Sequence, residues 1–199
     1  MIAPIVLAAG ESTRMGSPKA LLPDRDGRPF VARIVRTCAA AGFDEVTIVT
    51  GSLHARIVAA VAADYPPIVV RFARNPDPSR GQLSSIWTGL DAAVRPETSA
   101  ILITLVDVPF VSSATVRAVA DEYRRSRAAI VRPALDGRHG HPVVFDRALF
   151  DALRRADPSA GAKSVLRAYA DAIVHVAIDD RGSFDDVDTP EEYERLLHS

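Results

Sequence analysis

Short apolar runs alternate along the chain with segments whose apolar residues recur at helical spacing. Ile5–Ala8 is apolar throughout and is followed by Gly10, which predicts a buried strand. Phe30–Ala41 carries its apolar residues on one helical face, and Thr189 before Pro190 predicts the N-cap of a closing helix. The same patterns predict strands over Glu45–Val49, Ile68–Phe72, Ile101–Val106, Ala129–Arg132, Pro142–Phe145 and Ile173–Ile178, and helices over Leu53–Ala63, Gln82–Val94, Ser113–Ser126, Arg147–Arg155 and Lys163–Tyr169.

This alternation of helices with nearly all-apolar strands predicts a three-layer α/β/α sandwich around a mostly parallel sheet. The length of 199 residues favours a single domain over 1–199. The strands at 129–132 and 142–145 are expected to be neighbours across the loop 136–140. Ligands of such sheets bind beyond the carboxyl ends of the strands. Functional residues are therefore expected in the loops 9–23, 51–52, 74–81, 107–110 and 179–188.

Composition narrows the functional classes by exclusion. The 24 basic and 25 acidic residues sum to −1, which argues against a bulk nucleic-acid surface and a polybasic membrane surface. A single cysteine, Cys38, excludes an intrachain disulfide and a Cys-rich metal site, and it fits a reducing cytoplasm. No apolar run approaches the roughly 20 residues that span a bilayer, and the first residues lack the basic region of a secretory signal. We expect a cytoplasmic protein with small-molecule ligands.

The loop after the first strand carries the densest candidate chemistry. Its small residues 8–10 allow a ligand close to the main chain, and Gly10 and Gly16 permit a backbone that offers N–H groups to an anion. Arg14 adds a forked phosphate donor and Lys19 a point charge. The spacing matches neither the Walker pattern nor the dinucleotide pattern. The loop is interpreted as a phosphate site of another kind; the alternative is an ordinary glycine-rich turn with a solvated basic pair.

The segment Leu7-Ala8-Ala9-Gly10 … Arg14-Met15-Gly16 … Pro18-Lys19-x-Leu21-Leu22-Pro23 resembles the opening of the MobA-like nucleotidyltransferases of molybdenum cofactor biosynthesis. The resemblance continues along the chain in Asn75-Pro76 … Gly81-x-x-Ser84-Ser85-Ile86 … Gly89-Leu90, Val106-Asp107-Val108-Pro109, Gly140-His141-Pro142-Val143 and Asp186-Val187-Asp188-Thr189-Pro190-Glu191-Glu192. It implies a Rossmann-like fold and the transfer of a nucleotide monophosphate from an NTP to a phosphorylated acceptor. Molybdopterin is the favoured acceptor, and pyrophosphate is released.

The resemblance also implies residue roles. Arg14 and Lys19 hold the triphosphate, Asp107 and a late aspartate hold Mg²⁺, and the main chain of Leu7–Gly10 (Leu7, Ala8, Ala9 and Gly10) lines the base pocket. Ala-Ala-Gly is similar to the cytidylyltransferase branch, whereas the guanylyltransferase branch has Ala-Gly-Gly. The methyl group of Ala9 narrows the slot available to a purine, so we expect CTP rather than GTP. The nucleotide site also includes Asn75, Gly81 and Ser85.

The carboxylates suit a metal on chemical grounds. Asp107 follows the most apolar predicted strand, where a carboxylate is costly unless it is solvated or paired with a cation. Mg²⁺ prefers one or two carboxylates together with phosphate oxygens. Asp188 is favoured as the second ligand and Asp186 is the alternative, while Asp185 is interpreted as solvated. A turn or helix-capping role for Asp107 remains the alternative to metal binding.

The acceptor side is less sharply defined. Ser84 and Ser85 follow Gly81 at the start of a predicted helix, where they can bind an anion or simply cap the helix. Ser84 and His141 are assigned to the acceptor, with a packed or solvated histidine as the alternative. Lys163 stands where similar proteins carry arginine, which leaves that segment's role open. Other functions left open are transfer from GTP or to another acceptor, and a non-catalytic nucleotide- or molybdopterin-binding accessory protein. The physiological receiver of the product would be a molybdoenzyme.

Overall fold

The computed structural model describes residues 1–10, 15–158 and 161–198. Within them, strands and helices alternate along the chain as the hydrophobic pattern predicts. The strands are β1 Ile2–Ala8, β2 Glu45–Thr50, β3 Val69–Arg74, β4 Ala100–Leu105, β5 Ile130–Leu135, β6 Arg138–His139, β7 Val143–Asp146 and β8 Ile173–Ala177. The α-helices are α1 Phe30–Ala40, α2 His54–Ala63, α3 Gln82–Ala93, α4 Ser113–Ser126, α5 Phe150–Arg155, α6 Ala162–Ala168 and α7 Pro190–His198.

The strands form one sheet in the order β3-β2-β1-β4-β7-β5-β6, and β8 pairs with β5. The pairs β3–β2, β2–β1, β1–β4 and β5–β8 are parallel, whereas β7 runs antiparallel to β4 and to β5. The prediction of a mostly parallel sheet is confirmed, and so is the adjacency of β5 and β7. The short strand β6 lies in the predicted loop between them and was not indicated by the pattern.

The sheet is covered on both faces because its strands are apolar on both sides. All seven residues of β1 are buried, and alternate residues point to opposite faces. Val6 and Ala8 pack in the core that includes α1, α2 and α4, while Ile5 and Leu7 pack in the core that includes α3, α5 and α6. The result is the expected three-layer sandwich.

The element boundaries differ from the prediction where a local group intervenes. β1 begins at Ile2 rather than Ile5, and it pairs with β4 from its first residue. Its pairing with β2 begins at Ile5, so Pro4, which has no N–H, lies before that ladder. The predicted helix 147–155 divides into a 3-10 turn and α5, because the side chain of Asp146 accepts a hydrogen bond from the N–H of Ala148 at 2.8 Å.

One glycine sets the position of α3 against the sheet. A Cβ atom on Gly89 would lie 2.8 Å from Cγ2 of Ile5, so a side chain here would push the helix off β1. The close approach brings the first turn of α3 to the carboxyl ends of β1 and β4. No helix in the described part of the chain is long and apolar enough to cross a membrane.

Candidate functional site

Three distant segments bring opposite charges together beyond the carboxyl ends of β1 and β4. Lys19 is buried in a 3-10 turn, and its Nζ contacts Oδ1 of Asp188. The same Nζ lies 3.8 Å from Oδ2 of Asp107, which follows β4. The ammonium group therefore bridges two carboxylates that the chain places far apart in sequence.

Asp107 is held in an environment that opposes its negative charge. Burial raises the pKa of its carboxyl group to about 6; the charges of Asp186 and Asp188 act in the same direction, and Lys19 opposes them. Its Oδ1 is buried and finds no hydrogen-bond partner among the described residues. A buried carboxylate oxygen without a donor is costly, and a hard cation satisfies it. The residues present therefore fit Mg²⁺.

The backbone around Asp188 is fixed by a capping box at the start of α7. Oε2 of Glu192 accepts hydrogen bonds from the N–H groups of Asp188 and Thr189, at 2.8 and 2.9 Å. Oγ1 of Thr189 accepts in turn from the N–H of Glu192 at 3.3 Å. The N–H of Val187 donates to the carbonyl of Asp107 at 2.8 Å, which ties the acidic segment to the turn after β4.

These charges line a cavity of about 320 Å³, here called the first cavity. Its walls come from the ends of β1 and β4, the first turn of α3 and the segment before α7. Most of the predicted nucleotide and metal residues lie on it: Leu7, Ala9, Gly10, Lys19, Gly81, Ser85, Asp107 and Asp188. Gly81 has a φ of +87°, a conformation that glycine adopts without strain, and it begins the turn into α3.

Other residues that were predicted for the site do not line the first cavity. The side chain of Ala8 packs into the core on the opposite face of the sheet. Nδ2 of Asn75 donates to the hydroxyls of Ser84 and Ser85, at 2.8 and 3.0 Å, so its buried amide orients the start of α3. The hydroxyl of Ser84 donates to the carbonyl of Gly81 at 2.7 Å, which is the helix-capping alternative. Arg14 lies outside the described residues.

His141 and Asp186 lie on a neighbouring cavity of about 500 Å³, here called the second cavity. Gln82 and Leu105 line both cavities, so the two meet at the first turn of α3. Burial lowers the pKa of His141 to about 4, and its buried Nδ1 finds no hydrogen-bond partner among the described residues. The imidazole is therefore neutral near pH 7.

The two acidic candidates of the last loop differ in which of these two cavities they line. Asp188 lines the first cavity beside Asp107 and Lys19, Asp186 lines the second, and both also line a third cavity beside α7. Burial and the charge of Asp188 raise the pKa of Asp186. No group of three or more His, Cys, Asp or Glu side chains within 1–10, 15–158 and 161–198 could hold a metal by itself. Substrate phosphates would have to complete the coordination.

Sequence reasoning overlooked two contributors to this site. Glu192 could have been found from its spacing of three from Thr189, which is the signal of a capping box. Gln82 carries no local signal, because its importance comes from the meeting of the two cavities.

Comparison with known proteins shows the family of the chain. The model of the MobA-like NTP transferase domain matches residues 4–173, so the chain belongs to this nucleotidyltransferase family, as its opening motif indicated. It is 37% identical to the nicotine blue oxidoreductase of Paenarthrobacter nicotinovorans, over 97% of this chain and 95% of that protein. It is 27% identical to the "Probable molybdenum cofactor guanylyltransferase" of Natronomonas pharaonis, over 96% of this chain and 94% of that protein.

A solved structure supports the fold along the whole chain. The crystal structure of Rv0371c from Mycobacterium tuberculosis H37Rv superposes with a TM-score of 0.83 at 30% identity, covering 100% of this chain and 99% of that chain. A crystal structure of the Rv0371c complex with manganese has a TM-score of 0.78 at 30% identity, covering 100% of this chain and 98% of that chain.

Proposed function

We propose that the protein transfers CMP from CTP to a phosphorylated acceptor of the molybdopterin type, with Mg²⁺ as the metal. The observation that carries this proposal is the meeting of Lys19, Asp107 and Asp188 in one cavity beyond the strand ends. A cation and two carboxylates at this position match what a triphosphate and its metal require.

The proposed chemistry needs positioning more than covalent participation of the protein. Asp107 and Asp188 would hold the metal, which when bound offsets negative charge on the phosphates. An oxygen of the acceptor phosphate forms a bond to the α-phosphorus of CTP. The bond from that phosphorus to the oxygen bridging to the β-phosphate breaks, and pyrophosphate leaves. Lys19, together with Arg14, binds the triphosphate and the departing charge.

The choice of CTP rests on the wall at Ala9. The residue lines the first cavity, and its carbonyl oxygen would lie 2.7 Å from a Cβ atom on Gly51. The wall is therefore packed from behind, so Ala9 has little room to retreat from a larger base. The manganese complex of Rv0371c supports a divalent cation in this fold.

The test is pyrophosphate release by the purified chain with molybdopterin as acceptor, comparing CTP with GTP and Mg²⁺ with a chelator. We expect turnover with CTP, at least tenfold less with GTP, and none without a divalent cation.

Asp107→Asn should lower kcat at least a hundredfold while nucleotide binding falls much less. Asp185→Asn is the matched control, because Asp185 is partly exposed, lines neither of the two cavities and pairs with Arg138 at 3.3 Å. Equal turnover with both nucleotides would reject the CTP preference, and an active Asp107→Asn protein would reject the metal assignment.

A second candidate is an oxidoreductase, favoured by the 37% identity to the Paenarthrobacter nicotinovorans protein. Hydride transfer does not require a lysine bridged by two carboxylates. Oxidation of a reduced nicotinamide cofactor in the presence of nicotine blue, unchanged in Asp107→Asn, would favour this function. Binding of CTP without turnover of any nucleotide or dye would favour an accessory protein instead.

A further inference from the structure

The second cavity combines an apolar floor with a cationic wall. Ile103, Val143 and Phe145 supply apolar surface, and Arg132, Lys163 and Arg167 supply positive charge. Asp186 is the single acidic side chain among its described lining residues. This charge balance favours an anionic ligand with a flat or apolar body.

Arg132 is the most enclosed of these cations. It lies on β5, its Nε is buried, and that atom finds no hydrogen-bond partner among the described residues. No hydrogen bond or ion pair joins its guanidinium group to the described part of the chain. Burial also lowers the pKa of its side chain. A buried guanidinium N–H without an acceptor is costly, and a carboxylate or phosphate satisfies the planar fork to which this N–H belongs.

Imidazoles beside Arg132 leave its charge uncompensated. The rings of His139 and His175 lie 4.5 Å apart between centroids, and Arg132 pairs with His175 in the β5–β8 register. Burial, followed by the charge of Arg132, lowers the pKa of both histidines. Both imidazoles are therefore neutral near pH 7. Neither carries a negative charge that could pair with the guanidinium group of Arg132.

The sheet register separates Arg132 from the metal carboxylates. Val143 pairs with Ile103 of β4, and Val144 pairs with Val131 of β5. Arg132 follows Val131, so it lies level with Val143 on the neighbouring strand. It is also level with Ile103, which is two strand spacings or about 10 Å away. Asp107 lies further along the chain beyond the end of β4. Arg132 and the Asp107–Asp188 pair therefore serve different groups of a ligand.

We propose that the acceptor carries an acidic group besides the phosphate that receives the nucleotide, and that Arg132 binds this group in the second cavity. The inference rests on the proposed function. The acceptor is then an organic phosphate with a flat and partly apolar body. Its second acidic group, which is an oxyanion, a carboxylate or a further phosphate, lies on the side of this body away from the phosphate that receives the nucleotide. Lys163 and Arg167 strengthen the local positive potential.

The test uses benzoate and phenyl phosphate as probes of the full chain, with and without CTP and Mg²⁺. NMR titration should show both probes binding while CTP is bound, with shifts of the His139 and His175 ring signals. Arg132→Gln should weaken both probes at least tenfold, and Arg132→Lys should weaken them less. Arg154→Gln is the matched control, because exposed Arg154 pairs with Asp91 on the surface at 2.7 Å.

Three results would overturn the proposal: no probe binding, equal affinity in Arg132→Gln, or displacement of the probes by CTP. Thermal melting and CTP binding show whether Arg132→Gln is folded; if it is not, the ring shifts of the wild type and the affinity of Arg132→Lys decide. If no pyrophosphate is released but the probes still bind in a way that depends on Arg132, the transferase proposal alone is rejected. Release of pyrophosphate without probe binding would reject this inference alone.

Discussion

The two cavities share a wall at Gln82 and Leu105 but hold their charges in opposite ways. In the first cavity, Lys19 is bridged to two carboxylates, and one oxygen of Asp107 still lacks a partner. In the second, Arg132 is half-buried, and no carboxylate among the described residues pairs with it. The first arrangement suits a ligand that brings a cation and phosphates together, and the second suits a ligand that is itself an anion. Adjacent cavities can thus select different substrates by the charges that each cavity leaves unpaired, rather than by the size of the substrate.

The two lysines of the chain test this division directly, because one lies in each cavity. Lys19→Met should lower kcat/KM for CTP about a thousandfold, since it removes a charge next to the triphosphate. Lys163→Met should leave CTP affinity within twofold and raise the KM for the acceptor. Steady-state kinetics with each substrate varied separately measures both effects. Equal losses for CTP in the two variants would contradict the division between cavities.

The raised pKa of Asp107 predicts how stability of the metal-free protein depends on pH. Because the folded-state pKa is about 6 and the ordinary value is 3.8, the ionised carboxylate is disfavoured in the folded state. The contribution of Asp107 to the free energy of unfolding should be highest below the ordinary value, fall as the pH rises to about 6, and then level off. The total loss from this group is about 3 kcal/mol.

Urea denaturation between pH 4 and pH 7 measures this loss. Asp107→Asn should not show this component of the decrease, whereas Asp185→Asn should follow the wild type. An Asp107→Asn protein with the same pH dependence as the wild type would show that the carboxylate is not held in the environment described.

The smallest expected effect concerns the capping box that fixes Asp188. Glu192→Gln keeps an acceptor oxygen but removes the charge, so we expect a loss of about 0.5–1 kcal/mol in stability. The metal concentration for half-maximal activity should rise two- to fivefold, because the backbone of Asp188 is less firmly held. Glu191→Gln is the matched control, since it changes the same charge one residue away. An equal rise in the control would assign the effect to helix charge alone.

The fold was predictable from the chain because each signal is local. The apolar run of β1, the one-sided apolar face of α1 and the N-cap at Thr189 each appear within a few residues of sequence. Errors arose where a side chain altered the backbone, as when Asp146 capped a 3-10 turn before α5. The short strand β6 was missed because two residues carry no periodicity.

The candidate site was predictable in part for the same reason. Lys19 and Asp107 follow strands, and loops after parallel strands converge at one edge of a sheet. The choice between Asp186 and Asp188 could not be made locally, because both lie in one acidic loop. In the structure both line a third cavity, but of the two it is Asp188 that lines the first cavity with Asp107, and their role as ligands stays a proposal.

By itself, the sequence determined an α/β sandwich and the MobA-like family. Those properties follow from periodicity and short motifs, which are encoded by neighbouring residues. Tertiary structure alone decided that Lys19 bridges Asp107 and Asp188, that Asn75 supports the wall behind the first cavity, and that Arg132 has a buried N–H without a partner among the described residues. These facts depend on strand order and register, which bring together side chains that are distant in the chain and fix which charges find partners.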